Sequence, residues 1–431
     1  MKKLNTAGYY ICMLFAVSLF LSEKFTNNVL IYLLCLLFAI GMCFKENRNK
    51  FKQILDKKIF FGLILFIFIP LIIVLLDGGF KTRFEIHNHF KFLLFFPLAL
   101  FIDEDKKVWN FTKFLLGGGI IFLAGSLVVF IKEIRKPENL QNMELLRIHF
   151  ELSLTEFSNI MCILLLFLLS FFFFYKKEEK KKQKTVKIFL GCLIVLDIFI
   201  LILTGSKIIY ICLIPTIVYI LYKKNKVYIL FFFLTGIGSY FILPKSIFSR
   251  MKYIFDFKKD PSIYLRLIFW DTAVNAIKRK PLFGWKSAER IAFNDNYYRE
   301  TGVIEYIKVN YYSSFTHTGD LLNTHNMYLQ HLVYYGLVGG IFLILLFFIV
   351  VPSRLIKINF YKEKNEDMDK VTLSRHISYE IALKASYICF LIQGMTEKNL
   401  NNAAMIFSFA ILLFLINFFC TVQKGKYKLN K

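Results

Sequence analysis

Apolar residues along this chain come in blocks separated by short polar gaps, not at the two-residue or 3.6-residue periods of soluble strands and helices. The blocks run over 6–22, 28–44, 59–76, 91–102, 114–131, 158–175, 188–203, 208–222, 227–243, 327–351, 377–395 and 403–420. Most span roughly 16–24 residues, the length a helix needs to cross the hydrocarbon core of a bilayer. In lipid every backbone polar group must be satisfied within the segment, so such blocks fold as helices. The pattern therefore predicts an all-α polytopic membrane protein of about twelve transmembrane helices. The short fourth block is expected to start its helix earlier, near His89.

Composition agrees and narrows the classes. Of 431 residues 57% are hydrophobic, with 51 Phe, and only 20% are charged, which excludes a soluble globular enzyme, a disordered chain and a secreted disulfide scaffold. The net charge of +25 does not point to nucleic acid, because Lys and Arg sit in the gaps between blocks. With the N-terminus inside, the short inner segments hold 31 Lys and Arg against 10 in the short outer ones. That bias places both termini in the cytoplasm. Met1-Lys2-Lys3 and the apolar run after it carry no small-x-small cleavage site before Glu23, so they read as a retained first span.

This layout leaves one large outer segment, residues 244–323, between spans nine and ten. It holds sixteen aromatic residues and a charge of +5, too aromatic for a linker. Tyr264–Lys278 has apolar residues at helical spacing and predicts a helix at the membrane surface, and Leu145–Leu154 in the smaller outer loop 132–157 reads similarly. No ATP or nucleotide sugar is available outside, so chemistry there needs an activated, lipid-carried substrate.

Several motifs are set aside. Asp103-Glu104-Asp105 matches the D-x-D of nucleotide-sugar transferases but lies in an eleven-residue inner loop. There is neither a phosphate-binding G-x-x-x-x-G-K-[ST] nor an H-E-x-x-H. Asp197 lies mid-span and is read as structural. The eight cysteines fall in or beside apolar blocks with no metal-knuckle spacing, so they read as small packing residues; no disulfide, metal or cofactor is expected.

The informative stretch is Asn323-Thr324-His325-Asn326-Met327-Tyr328-Leu329-Gln330, continuing to Gly336-Leu337-Val338-Gly339-Gly340. It puts His325 on the first turn of span ten at the outer mouth, where free backbone N–H groups favour phosphate. The same field disfavours imidazolium and leaves His325 able to accept a proton. The plain alternative is that His325 only caps the helix. Gly336, Gly339 and Gly340 form a stripe that lets a neighbouring helix approach closely.

This stretch resembles the O-antigen ligase family: a His-Asn pair, then Gly-x-x-Gly running into a span, after a long outer loop. Thr204-Gly205-Ser206-Lys207 is similar to its Thr-x-Ser-Arg motif, with Lys207 in place of Arg. Tyr264-Leu265-Arg266-Leu267-Ile268-Phe269-Trp270 and Pro281-Leu282-Phe283-Gly284-Trp285 resemble its loop segment, with Lys286 where a Gly commonly follows. Gln393-Gly394 with Glu397 resembles its C-terminal element. The likeness covers about 190–420, which divides the chain into an N-terminal bundle, 1–187, and a ligase-like region, 188–431.

The resemblance implies a membrane glycosyltransferase of lipopolysaccharide biosynthesis, working on the periplasmic face. Its donor would be a glycan on undecaprenyl pyrophosphate, its acceptor a sugar hydroxyl of lipid A-core, and its mechanism inverting and metal-independent. His325 would be the general base and Arg266 the grip on pyrophosphate. Lys207, Ser206, Asn326, Trp270, Arg290 and His317 would bind substrate, with His317 also a second candidate base. Arg250, Lys258, Lys259 and Arg279 are further loop cations. An O-antigen or exopolysaccharide polymerase shares the motif and the donor. A flippase or other twelve-span transporter agrees with the span count, but it would not need the His325 and Arg266 pair.

Overall fold

A computed structural model describes residues 1–20, 29–79, 86–136, 152–242, 261–310, 323–361 and 368–423. Among the described residues all regular structure is helical. The N-terminal part contains α1 (Lys2–Ser18), α2 (Ile31–Cys43), α3 (Lys45–Ile54), α4 (Lys57–Leu76), α5 (Ile86–Phe101) and α6 (Asp105–Ile134). There follow α7 (Leu154–Phe174), α8 (Lys180–Thr204), α9 (Lys207–Lys224) and α10 (Val227–Ile242). The long segment after α10 contributes α11 (Pro261–Arg279), α12 (Ser287–Glu300) and α13 (Val303–Asn310). The chain then returns through α14 (Met327–Leu355), α15 (Lys370–Gly394) and α16 (Ala403–Gln423).

Each apolar block falls on a helix in its described part. Six helices are long and apolar enough to cross a membrane: α4, α6, α7, α8, α14 and α16. The remaining blocks form helices that are shorter (α1, α2, α5, α10) or more polar (α9, α15). The fourth block starts its helical run at Ile86, ahead of the apolar stretch, as its length required. The expected Tyr264–Lys278 helix is present as α11. Residues 145–151 of the smaller outer loop, Arg250, Lys258, Lys259 and His317 lie outside the described residues.

Local sequence explains where key helices start. Ser153 and Glu156 form a reciprocal capping box that opens α7 sharply. Asp56 caps α4 and Asp369 caps α15, each accepting two backbone N–H groups. The core is centred on α16, which is buried on every side and apolar all round. Phe409 of α16 packs against both Phe347 of α14 (4.7 Å) and Phe390 of α15 (4.6 Å), which also meet each other at 6.1 Å. Asp197 is fully buried and its carboxylate meets no hydrogen-bond partner among the described residues.

The basic segments read as cytoplasmic are tied to one another. Arg354 meets Asp56 at 2.8 Å, and Asp56 N donates to Asn417 at 2.7 Å. Asp103 pairs with Lys50 and Lys107, Asp105 with Arg375 and His376, so the D-x-D carboxylates are occupied by the chain's own cations. Lys176 N donates to Ser374 Oγ at 3.0 Å, and Tyr361 OH donates to Lys223 O at 2.7 Å. These contacts gather one end of the bundle.

The Asp56–Arg354 pair is buried on both sides, at 1% and 6% side-chain exposure. Removing one partner strands the other charge, at a cost of about 3–5 kcal/mol. Arg354→Ala is expected to lower the thermal midpoint in detergent far more than Lys182→Ala at the exposed Glu179 pair; equal shifts would contradict this reading of the end clasp.

Candidate active site

Three separate stretches converge at the opposite end. α11 presents Arg266, Phe269 and Trp270 at i, i+3 and i+4, so they share a helical face. α15 ends at Gly394, where the chain turns back: Thr396 N and Glu397 N both donate to Gln393 O, at 3.1 and 2.9 Å. α14 starts at Met327 with Asn326 as its cap, accepting from Tyr328 N and Leu329 N at 3.0 Å each. Asn326 Nδ2 also donates to Met395 O at 2.9 Å, fixing the start of α14 to the end of α15.

Glu397 is the centre of this arrangement. Its carboxylate is 2% exposed; Oε1 accepts from Arg266 Nη2 at 2.8 Å, and Oε2 lies 3.7 Å from His325 Nδ1. The Phe269 ring lies parallel to the imidazole, centroids 6.0 Å apart. The sequence named Glu397 only as part of a C-terminal likeness. What it could not give is the fold that brings residue 397 against residues 266 and 325.

His325 differs from expectation in one respect. It does not lie on the first turn of α14 but one residue before the cap, at φ +46°, the only described non-glycine residue in the left-handed region. Such a conformation costs about 1–3 kcal/mol in a non-glycine residue. Neighbouring side chains hold it: His325 N donates to Asn323 Oδ1 at 3.2 Å, Asn326 N to Thr324 Oγ1 at 3.3 Å, and Thr324 N to Gln330 Oε1 at 2.9 Å. A residue that merely capped the helix would not need this strain, because Asn326 does the capping.

The glycine stripe also has a different purpose. At Gly336 (φ +60°) α14 breaks, and what approaches there is the Pro281–Trp285 turn, not a helix. Leu337 N donates to Pro281 O at 2.7 Å, Val338 N to Leu282 O at 3.1 Å, and Trp285 N to Val333 O at 2.9 Å. A Cβ on Gly336 would sit 2.2 Å from Leu282 O, and one on Gly284 (φ +71°) 2.5 Å from Val333 O. Only glycine on both sides permits this contact. Lys286 then donates to Asp77 O beyond α4 at 3.0 Å, so the departure from a common Gly adds an anchor.

Thr204–Lys207 forms the turn from α8 to α9, with Gly205 at φ +63° ending α8 and Ser206 in the cap position of α9. Cys212 of α9 touches Gln393 near the end of α15, so Ser206 and half-buried Lys207 lie at the Glu397 end of the bundle. Arg290 is buried (1%) over the Phe293 ring, on α12 behind the site. Burial raises the Tyr298 phenol, while burial and then the Asp271 hydrogen bond hold Tyr297 up at about 12. Neither phenol accepts a proton near neutrality. His331 packs in the bundle, stacked on Phe66 with Nε2 3.2 Å from Gly339 O.

Some of the buried polar atoms without partners lie at this site. Arg266 Nε, Trp270 Nε1, His325 Nδ1 and Thr396 Oγ1 have no hydrogen-bond partner among the described residues. Leaving a buried donor unmet costs about 1–3 kcal/mol, so Arg266 Nε beside the Glu397 carboxylate is a donor open to a ligand oxygen.

Residues 190–344 match the family model Wzy_C, described as O-Antigen ligase. The matched stretch holds the Thr204–Lys207, Arg266–Trp270, Pro281–Trp285 and His325–Gly340 motifs; Glu397 lies beyond it and joins the site through the fold. No curated protein matches the chain.

His325→Gly removes the ring and relieves the left-handed strain. The expected result is a thermal midpoint at or above wild type, while Gly284→Ala lowers it by several degrees. A His325→Gly midpoint well below wild type would show that the imidazole is a packing element.

Proposed function

We propose, taking the O-antigen ligase domain at residues 190–344 as the premise, that this chain transfers a glycan from undecaprenyl pyrophosphate to a sugar hydroxyl of lipid A-core. The reaction is placed at the periplasmic face of the bacterial inner membrane, in a twelve-span topology with both termini in the cytoplasm. Supporting this orientation, the basic segments bind one another at one end of the bundle, and Glu397, Arg266 and His325 meet at the other. The observation that carries the reading is the single buried carboxylate holding a guanidinium on one oxygen and an imidazole near the other.

Glu397 faces Nδ1 of His325, so Nε2 is the nitrogen left for the acceptor. It takes the hydroxyl proton as the sugar oxygen bonds to the anomeric carbon. The bond from that carbon to the pyrophosphate oxygen breaks, and undecaprenyl pyrophosphate leaves with the electron pair. Attack opposite the leaving group inverts the anomeric centre. Arg266 meets the charge growing on the pyrophosphate, and its unmet Nε is a second donor on the same fork. Lys207, Ser206, Trp270, Asn326 and Arg290 are assigned to substrate binding at this end, and His317 is kept as a second contact from outside the described residues. Glu397 holds the guanidinium and steadies the imidazolium once the proton has arrived. No step requires a metal.

A polymerase reading shares the donor and the same three residues, and differs only in the acceptor. Deletion separates the two: polymerised glycan stranded on the lipid carrier identifies a ligase, and single repeats still reaching the core identify a polymerase.

With purified protein in detergent, lipid-pyrophosphate donor and acceptor, transfer is expected without added ATP or metal. Loss of the base typically costs about 10²–10⁴-fold, which sets the expectation for His325→Ala. Arg266→Ala and Glu397→Gln are expected to fall in the same range, and Glu397→Gln also lowers the thermal midpoint, because it leaves the Arg266 guanidinium without its buried partner. Wild-type rates in both His325→Ala and Arg266→Ala would remove the assignment, and accumulation of substrate in sealed vesicles with no new glycosidic bond would favour a transporter.

A further inference from the structure

The cysteines read as isolated packing residues do not stay apart in the fold. Cys162 of α7, Cys212 of α9 and Cys389 of α15 place their sulfurs within 4.8 Å of one another, with Cys162 and Cys212 Sγ 4.0 Å apart. All three are fully buried. Sequence spacing could not reveal them, because each ligand comes from a different helix and 50 or more residues separate the nearest two.

The distances have chemical meaning. A metal bound to thiolate sulfurs at about 2.3 Å spaces three of them about 4 Å apart in a plane. Apolar packing explains cysteines in a core, but not the polar groups beside them. Gln393 Nε2 donates to Cys212 Sγ at 3.8 Å and to Asn159 O at 3.2 Å. Gln393 Oε1 and Asn159 Oδ1, on residues fully buried, have no partner among the described residues. An amide donor on a sulfur is the outer contact that ligating thiolates ordinarily have. The neighbouring unmet oxygens are acceptors available to a thiol that keeps its proton. The described residues bring no imidazole or carboxylate to the sulfurs as a fourth ligand. Zinc favours four ligands, whereas soft Cu(I) is selected by sulfur alone.

We propose that Cys162, Cys212 and Cys389 form a three-sulfur site for a thiophilic metal ion, Cu(I) above all, that ties α7, α9 and α15 together beneath the Glu397 end of the bundle. Each sulfur that binds as thiolate releases its proton to solvent, and the copper stays Cu(I) throughout. The helices so joined are those that carry Lys207 and lead into Glu397, so the ion would stiffen the floor of the site without touching substrate.

The test loads full-length protein in detergent with Cu(I) in the presence of a competing Cu(I) chelator, then measures retained copper and its X-ray absorption. Wild type is expected to keep about one ion per chain with a sulfur-only first shell, and its thermal midpoint is expected to rise on loading. Cys212→Ser and Cys389→Ser are expected to lose the retained ion and the rise, whereas Cys43→Ser and Cys192→Ser, both at exposed positions, keep them. The wild-type measurement decides even where a core variant fails to fold. No retained copper, a shell of nitrogen or oxygen, equal retention in the Cys212 and Cys389 variants, or a Cys162–Cys212 disulfide in freshly isolated protein would each overturn the proposal.

Discussion

A carboxylate taken out of water must be paired, or it loses its charge. Glu397 meets this constraint by drawing in Arg266, and in doing so it fixes where α11 lies over the bundle. The same carboxylate faces the imidazole of His325, whose backbone is held in a conformation that only a dense set of side-chain hydrogen bonds sustains. Every other feature of the site depends on this bridge. The turn after α15 presents it, the cap of α14 is fastened to that turn by Asn326, and Phe269 closes over the ring. The guanidinium is thus set in place by a permanent partner.

The two ends of the bundle are built on opposite principles. One is closed by ion pairs between acids and bases of the chain itself: Asp56 with Arg354, Asp103 with Lys50 and Lys107, Asp105 with Arg375 and His376. The other keeps buried donors unmet on Arg266, Trp270 and Thr396. Unmet donors are costly in a resting protein.

Much of this was legible in the order of residues. Block length and the absence of soluble periodicity specified helices, and each apolar block lies on one. The i, i+3, i+4 pattern in Tyr264–Lys278 specified α11, and the likeness at 190–420 pointed to Arg266 and His325. What could not be read were relations between distant stretches. Glu397 looked like one acidic residue after a span, since its meaning comes only from partners such as Arg266, 131 residues away. The glycines at 336, 339 and 340 have helical spacing, so a helix seemed their neighbour; the positive φ at Gly336 that admits a loop is a property of the folded backbone. The cysteine cluster was invisible for the same reason. Spacing rules describe ligands on one element, and these come from three.

The interruption of α14 has a consequence for how the chain can be divided. A helix that starts at Met327 and breaks at Gly336 leaves N–H and C=O groups open where lipid or tightly packed protein offers no water. Here Pro281 O, Leu282 O and Trp285 N meet them one by one. The segment between α10 and α14 is therefore not an accessory mounted on a finished transmembrane scaffold. It completes the hydrogen bonding of a span, and an exchange of this segment between relatives would have to carry the matching half of that span with it.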